Sequence, residues 1–307
     1  MMETIRSAQV DQAICRTLQY FGIFRYPLRA EEVRSNCSLE LEQVVVDEAL
    51  RWIVEEGKAF EFGGYYSPDA AVQEYVERRL AANALAEEKM KGAIRTGRFI
   101  AAFPFVRFVG ISGSLSKGYA NERSDYDYFI VTAGGRLWIC RTILHLFKKL
   151  TFLTGAQHRF CMNYFIDEEH LELEEQNLFT AIELSTLVPV AGEHVYCRLR
   201  EENAYWVKEQ LPNPYKAFYL TSENHMTGSK LQRLTENLIR PFAVGLNYRL
   251  MQFTNWHWHR KWRRRKYPES DYPLAFKTTL YHSKNHPENY QKKILSQLNT
   301  QNDYLSS

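Results

Sequence analysis

The chain has 307 residues, a length that predicts two or three domains. Its 45% hydrophobic and 24% charged residues exclude a disordered chain, and a net charge of +3 by itself implies no particular partner. The five cysteines, Cys15, Cys37, Cys140, Cys161 and Cys197, contain no C-x-x-C pair, which argues against a disulfide framework and against a cysteine zinc site. No apolar stretch approaches the ~18–20 residues that span a bilayer. The opening residues lack the apolar run of a signal peptide. The expectation is a soluble, cytoplasmic protein with no transmembrane segment.

Three regions follow one another: 1–68, 69–200 and 201–307. In the first, Val10, Ile14, Thr17, Leu18 and Phe21 recur at helical spacing. Pro27 breaks that helix. A short acidic helix is predicted from Ala30, and Leu41, Val44, Val45, Ala49, Leu50 and Ile53 trace a longer one that Gly57 ends. Ala59–Phe62, Gly63-Gly64 and Tyr65–Ser67 read as a tight hairpin. Three helices and a hairpin is the order of a winged helix-turn-helix. Its charge opposes DNA readout: seven Lys plus Arg stand against eleven Asp plus Glu, and the helix that would enter a groove is acidic, so the phosphate backbone repels it. An intramolecular or protein-contact role is expected instead.

In 69–200, Asp69 can cap a long helix to about Arg98. Strands are predicted at Val106–Gly110, Tyr126–Thr132 and Phe160–Asp167, with helices at Leu137–Leu153 and Leu178–Leu187. Strands alternating with helices make this an α/β or α+β unit. The region 201–307 is expected to be helical, with a break at Pro212-Asn213-Pro214 and a long helical pattern from Lys230 to Lys266 around Pro241.

The stretch that carries chemistry is Gly110–Val131, GISGSLSKGYANERSDYDYFIV. A strand ends in a small turn, Ser112-Gly113-Ser114. Ten residues later a strand opens with Asp125-Tyr126-Asp127. Alternation puts the two carboxylates on one face, where they repel unless a cation lies between them. Hard oxygen ligands suit Mg²⁺, which also takes phosphate oxygens. Gly113 lets a phosphate approach the backbone, and the Ser114 hydroxyl can donate to it.

This pattern, a Gly-Ser turn, a ten-residue spacer and D-x-D, resembles the signature of the DNA polymerase β-like nucleotidyltransferase superfamily. Its local form looks like the compact bacterial minimal and antibiotic-type members. The signature covers about twenty residues, and the flanking strand–helix order extends the likeness over 69–200. The resemblance implies an α+β fold in which a nucleotidyltransferase-like mixed sheet has flanking helices, an N-terminal winged helix-turn-helix-like module and a helical C-terminal region. It implies that Gly113 and Ser114 hold nucleotide phosphates. Asp125 and Asp127 would ligate Mg²⁺, and ATP is the first nucleotide to expect. Lys117 and Arg123, in the intervening loop, either meet phosphates or sit as solvated charges.

The superfamily also carries a third carboxylate on a later strand. Here the mid-strand slot holds Asn163, an amide that can ligate a metal and cannot accept a proton, while Asp167 shares its parity at the strand end. Either Asp167 is the general base or the acid is absent. The function expected is Mg²⁺-dependent transfer of a nucleoside monophosphate from an NTP to an unidentified acceptor, a small molecule, an RNA or a protein. The alternative is a catalytically degenerate nucleotide- or RNA-binding regulator on the same fold.

Lys230–Lys266 holds ten Lys plus Arg and one acid, Glu236. Its densest part, Trp256–Lys266, sets Trp256, Trp258 and Trp262 among the cations of Arg260–Lys266. Cations interleaved with tryptophans suit phosphate contacts and base stacking, so nucleic acid, RNA in particular, is one reading. An anionic membrane surface and a basic helix packing its Trp faces on the core are the others. His257 and His259 do not share a helical face and make a poor metal pair.

Overall fold

The computed structural model describes residues 7–213 and 230–305. Residues 214–229, part of the expected helical C-terminal region, lie outside the described residues. Helix α1 (Ala8–Gly22) buries Ile14, Leu18 and Phe21, and α3 (Gln43–Glu55) buries Val46, Ala49, Leu50 and Ile53, the faces their periodicity marks. Between them lie β1 (Leu28–Arg29) and α2 (Ala30–Asn36). Strands β2 (Phe60–Phe62) and β3 (Tyr65–Ser67) turn on Gly63 and Gly64, both at positive φ, the backbone that a two-residue hairpin demands. β1 also pairs with β3, giving a small antiparallel sheet in the order β1-β3-β2.

The 30-residue helix α4 (Val72–Ala101) leads into the second sheet. Ahead of it the Asp69 carboxylate accepts from the Ala71 amide and the Tyr75 hydroxyl. Then come β4 (Val106–Ile111), the single turn α5 (Gly113–Ser116), β5 (Asp127–Thr132), α6 (Leu137–Thr151), β6 (Cys161–Asp167), α7 (Leu178–Ser185), β7 (Val188–Ala191) and α8 (Glu193–Gln210). After the undescribed segment follow α9 (Lys230–Ile239), a 3-10 turn at Arg240–Phe242, α10 (Ala243–Arg264), α11 (Tyr272–Ala275), β8 (Phe276–Thr278), β9 (His282–Asn285) and α12 (Tyr290–Leu305). The six-stranded sheet runs β7-β4-β5-β6-β9-β8, with β5 and β6 parallel and the other pairs antiparallel. The protein is thus α+β with a mixed sheet, and none of its described helices is long and apolar enough to cross a membrane.

The expectation of a mostly helical region after residue 200 that stands apart from the sheet is corrected here. β9 pairs with β6 and β8 with β9, so a boundary near 200 would cut through the sheet. The missed strands, FKT and HSKN, are too short and too polar to show alternation. β7 was also hidden, because Pro189 reads as a breaker. It sits on the edge of the sheet, where a missing N–H is tolerated.

Each face of the large sheet is buried. Phe108, Phe129, Val131 and Ile166 join a core with α7, α8, α12 and the N-terminal helices. Val109, Ile111, Ile130 and Phe165 pack with α4, α6 and α10. The N-terminal module therefore shares its core with the sheet. The joint is polar as well. Arg79 on α4 is buried, donates twice to Glu32 at 2.7 and 2.6 Å and once to the Pro27 carbonyl, and lies 4.2 Å from the Tyr26 ring centroid. Removing one partner of such a pair strands a buried charge. Glu32→Ala is expected to cost about 3 kcal/mol in urea unfolding, and Arg79→Met/Glu32→Ala less than that.

Candidate active site

Antiparallel pairing brings the end of β4 beside the start of β5. Ile111 faces Tyr128, and the Ser112 amide donates to the Asp127 carbonyl at 3.0 Å. The turn after β4 thus lands on Asp127. Gly113 has φ +68°, and a Cβ there would lie 2.7 Å from Asp127 Oδ2. Both conditions select glycine. Ser114 is exposed at the same turn, and Ser116 Oγ donates to the Gly113 carbonyl at 2.9 Å, tying the turn together.

Asp127 is partly buried. Desolvation, with smaller contributions from the charges of Asp125 and Glu183, pushes its pKa up to about 6, against the lowering effects of a Cys161 hydrogen bond and of Lys117. Asp125, two residues before β5, is held at 2.7 Å by His158 Nδ1. Lys117 Nζ donates to the Gly113 carbonyl at 3.1 Å and to Glu183 Oε1 at 2.6 Å. The predicted residues Gly113, Ser114, Lys117, Asp125 and Asp127 therefore gather in one place, and Glu183 of α7 joins them. Nothing in the sequence marked Glu183, which lies in an ordinary helix 56 residues after Asp127. Arg123 has no side-chain bond among those described, consistent with a solvated loop charge.

The third carboxylate does not join them. β5 and β6 pair Tyr128 with Met162 and then Phe129 with Tyr164, so Asn163 is the extra residue of a bulge. A bulge reverses the alternation beyond it. Met162 and Phe165 share one core and Tyr164 and Ile166 the other, so Asp167 sits on the Phe165 side, away from Asp127. It also pairs with Thr132, the far end of β5, five residues and roughly 17 Å along the strand from Asp127. Its carboxylate is fully buried, accepting from the Gly135 amide at 2.6 Å and the Glu169 amide at 2.9 Å. The expectation of Asp167 as general base is overturned: it pins the turn into α6. Beside Asp127, β6 supplies Cys161, whose thiol donates to Asp127 and is raised to about 12 by burial and by that carboxylate. Asn163 Nδ2 donates to Cys161 Sγ at 2.9 Å. Asn163 thus acts on Asp127 through Cys161, a different role from the metal ligand expected.

Among the described residues no cluster of three or more His, Cys, Asp or Glu is arranged to hold a metal. Asp125 and Asp127 still suit Mg²⁺, which binds through one or two carboxylates when substrate phosphates supply further oxygens. Burial chiefly, and the charges of Asp125 and Glu183 to a smaller degree, raise Asp127, and a bound cation would offset both.

The N-terminal module reaches this site. Tyr26 Oη donates to the Lys117 carbonyl at 3.3 Å and its ring lies 5.9 Å from that of Tyr119. Asn83 of α4 donates to the Gly118 carbonyl. On the other side of β5 a half-open cavity of about 370 Å³ lies between α4 and the start of β6, with Arg95, Arg159 and Phe160 in its wall.

The basic segment is only partly what its sequence promised. Trp258 and Trp262 are buried at 6% and 8% exposure, against Phe276, and Trp256 alone of the three faces out. Arg141 lies 4.7 Å from the Trp258 ring centroid. Two of the three expected stacking platforms are thus core residues. His282 is buried in β9 and His286 beside Tyr164, both lowered to about 4 chiefly by desolvation.

No family model, curated protein or solved structure matches the chain.

Proposed function

We propose that the protein binds a nucleoside triphosphate with Mg²⁺ at the Gly113 turn and the Asp125–Asp127 pair, and transfers the nucleoside monophosphate to an acceptor hydroxyl. The observation that carries this reading is the packing of Asp127 against Gly113, which joins a phosphate-accepting turn to a carboxylate pair. The order of strands and the module of three helices and a hairpin support the likeness to polymerase β-like nucleotidyltransferases with a winged helix. In the reaction the acceptor oxygen forms a bond to the α-phosphorus, the bond to the bridging oxygen of the β-phosphate breaks, and pyrophosphate leaves. Bound Mg²⁺ would neutralise charge on the phosphate oxygens. Ser114 donates to a phosphate. Lys117 exchanges Glu183 for the triphosphate, and the freed Glu183 takes the acceptor proton.

A second reading, a nucleotide-binding regulator without turnover, is favoured by one observation: the β6 residues beside Asp127 are Cys161 and Asn163, and neither is a carboxylate. Incubating the protein with labelled NTPs, Mg²⁺ and cell extract separates the two. Label moved to an acceptor supports transfer. Nucleotide bound without transfer supports the regulator, and no Mg²⁺–NTP binding overturns both.

Asp127 also gives a pH test. A carboxylate raised from its ordinary 3.8 to about 6 keeps in the folded state a proton that the unfolded chain releases between those values. It therefore lowers the stability of the metal-free protein progressively as pH rises from 4 to 6. Asp127→Asn is expected to be more stable than wild type by about 1–2 kcal/mol at neutral pH, after discounting for partial exposure, with the gap closing toward pH 4. Added Mg²⁺ should raise the wild-type melting temperature and leave the variant's unchanged. Thermal and urea unfolding across pH check both.

A further inference from the structure

We infer that the outer face of α9 and α10 docks the protein on an anionic lipid surface. On α10 the inward stripe is Ala243, Asn247, Trp258 and Trp262. The Asn247 side-chain Oδ1 accepts from the Trp138 amide at 2.8 Å and so fixes that stripe against α6. The opposite stripe, at helical spacing, reads Phe242, Leu246, Arg249, Phe253, Trp256 and Arg260, every one exposed. Phe242 is 73% and Phe253 62% accessible, far more than a soluble helix leaves of its large apolar residues without a partner. Leu234 and Leu238 of α9 are equally open.

The charge on this face has one sign. Residues 230–266 carry ten Lys plus Arg and a single acid. That acid, Glu236, is turned inward, accepting from the Phe105 amide at 2.6 Å and from Arg107 at 3.0 and 3.1 Å. What α10 offers outward is hydrocarbon and aromatic rings among arginines, the composition of a helix that lies in a membrane interface. Leu146, Leu150 and Leu153, at helical spacing across the end of α6 beside Lys148 and Lys149, repeat the same chemistry, with Leu153 86% exposed.

Nucleic acid fits this face less well. Two of the three tryptophans that could stack on bases, Trp258 and Trp262, point in, and the exposed leucines, Leu234, Leu238 and Leu246 here and Leu146, Leu150 and Leu153 at the end of α6, are aliphatic and offer a base or a phosphate no stacking or polar contact. Anionic headgroups pair with the arginines and acyl chains with the apolar stripe, so both halves of the face are satisfied together. The inference is independent of the nucleotide site, and neither tests the other.

Flotation with vesicles decides it. The full chain is expected to bind mixed phosphatidylcholine–phosphatidylglycerol vesicles and to bind pure phosphatidylcholine at least ~10-fold more weakly, losing affinity as salt rises. Phe253→Glu/Trp256→Glu, both at exposed positions, should lower partitioning at least ~10-fold with an unchanged circular dichroism spectrum. Arg249→Glu/Arg260→Glu should lower it by ~5-fold or more per site. Equal flotation with and without phosphatidylglycerol would overturn the inference. So would a wild type that binds single-stranded RNA but no vesicle, which assigns the arginines to nucleic acid. A dimer that Phe253→Glu/Trp256→Glu makes monomeric, again without vesicle binding, assigns the stripe to a second copy and overturns it too.

Discussion

Glu183→Gln is expected to lower nucleotidyl transfer by about 10²–10⁴-fold, the usual worth of a general base. The argument is one of elimination within the site. Asp125 and Asp127 are the pair that would hold the metal, Cys161 is a neutral thiol raised to about 12, and Asp167 is spent on the amides of Gly135 and Glu169. Glu183 is left, 2.6 Å from Lys117 and close enough to raise Asp127. The glutamine keeps the shape and a hydrogen bond to Lys117, so Mg²⁺–NTP affinity should change little. Asp167→Asn is the control. It should leave transfer intact and cost about 1–3 kcal/mol in stability, because buried amides lose an acceptor. Single-turnover transfer of labelled nucleotide measures both variants. Wild-type transfer by Glu183→Gln would remove the base assignment, and a loss confined to Asp167→Asn would reverse it.

Replacing Asp125 and Asp127 together by asparagine should abolish detectable Mg²⁺–NTP binding in calorimetry. Two formal charges leave the one place where the Gly113 turn meets carboxylates. The change is nearly isosteric, and Asp127 forms its backbone pairing with Cys161 through main-chain atoms, so the fold should persist. The pair is more than two independent ligands. Asp125 is oriented by His158 at 2.7 Å, so His158→Ala should weaken binding less than either aspartate change, by loosening one ligand without discharging it. Unchanged affinity in the double variant would end the nucleotide-site reading altogether, and with it both functions proposed above.

Much of this site is written locally. The Gly113 turn, the spacer and Asp125-Tyr126-Asp127 occupy fifteen consecutive residues, and a hairpin-like antiparallel pair returns the chain on itself within that length. Periodicity likewise marks α1 and α3, because each buries one face of a regular helix, while Asp69 marks the start of α4 and Gly63-Gly64 the hairpin of β2 and β3. What failed was everything that depends on a partner far along the chain. Parity carried Asp167 onto the Asn163 face, and one inserted residue, Asn163 itself, reversed it. No alternation pattern reveals a bulge, since the extra residue is defined by the strand opposite. Glu183 meets Lys117 across 66 residues, and helical spacing within α7 says nothing of which acid faces the turn. β8 and β9 exist because β6 offers an unpaired edge, and their own side chains carry no strand period. Tryptophans 256, 258 and 262 look alike in sequence. The packing of α10 on α6 and Phe276 buries two and leaves one in solvent, because a helix of 3.6 residues per turn gives only one of its faces to the core.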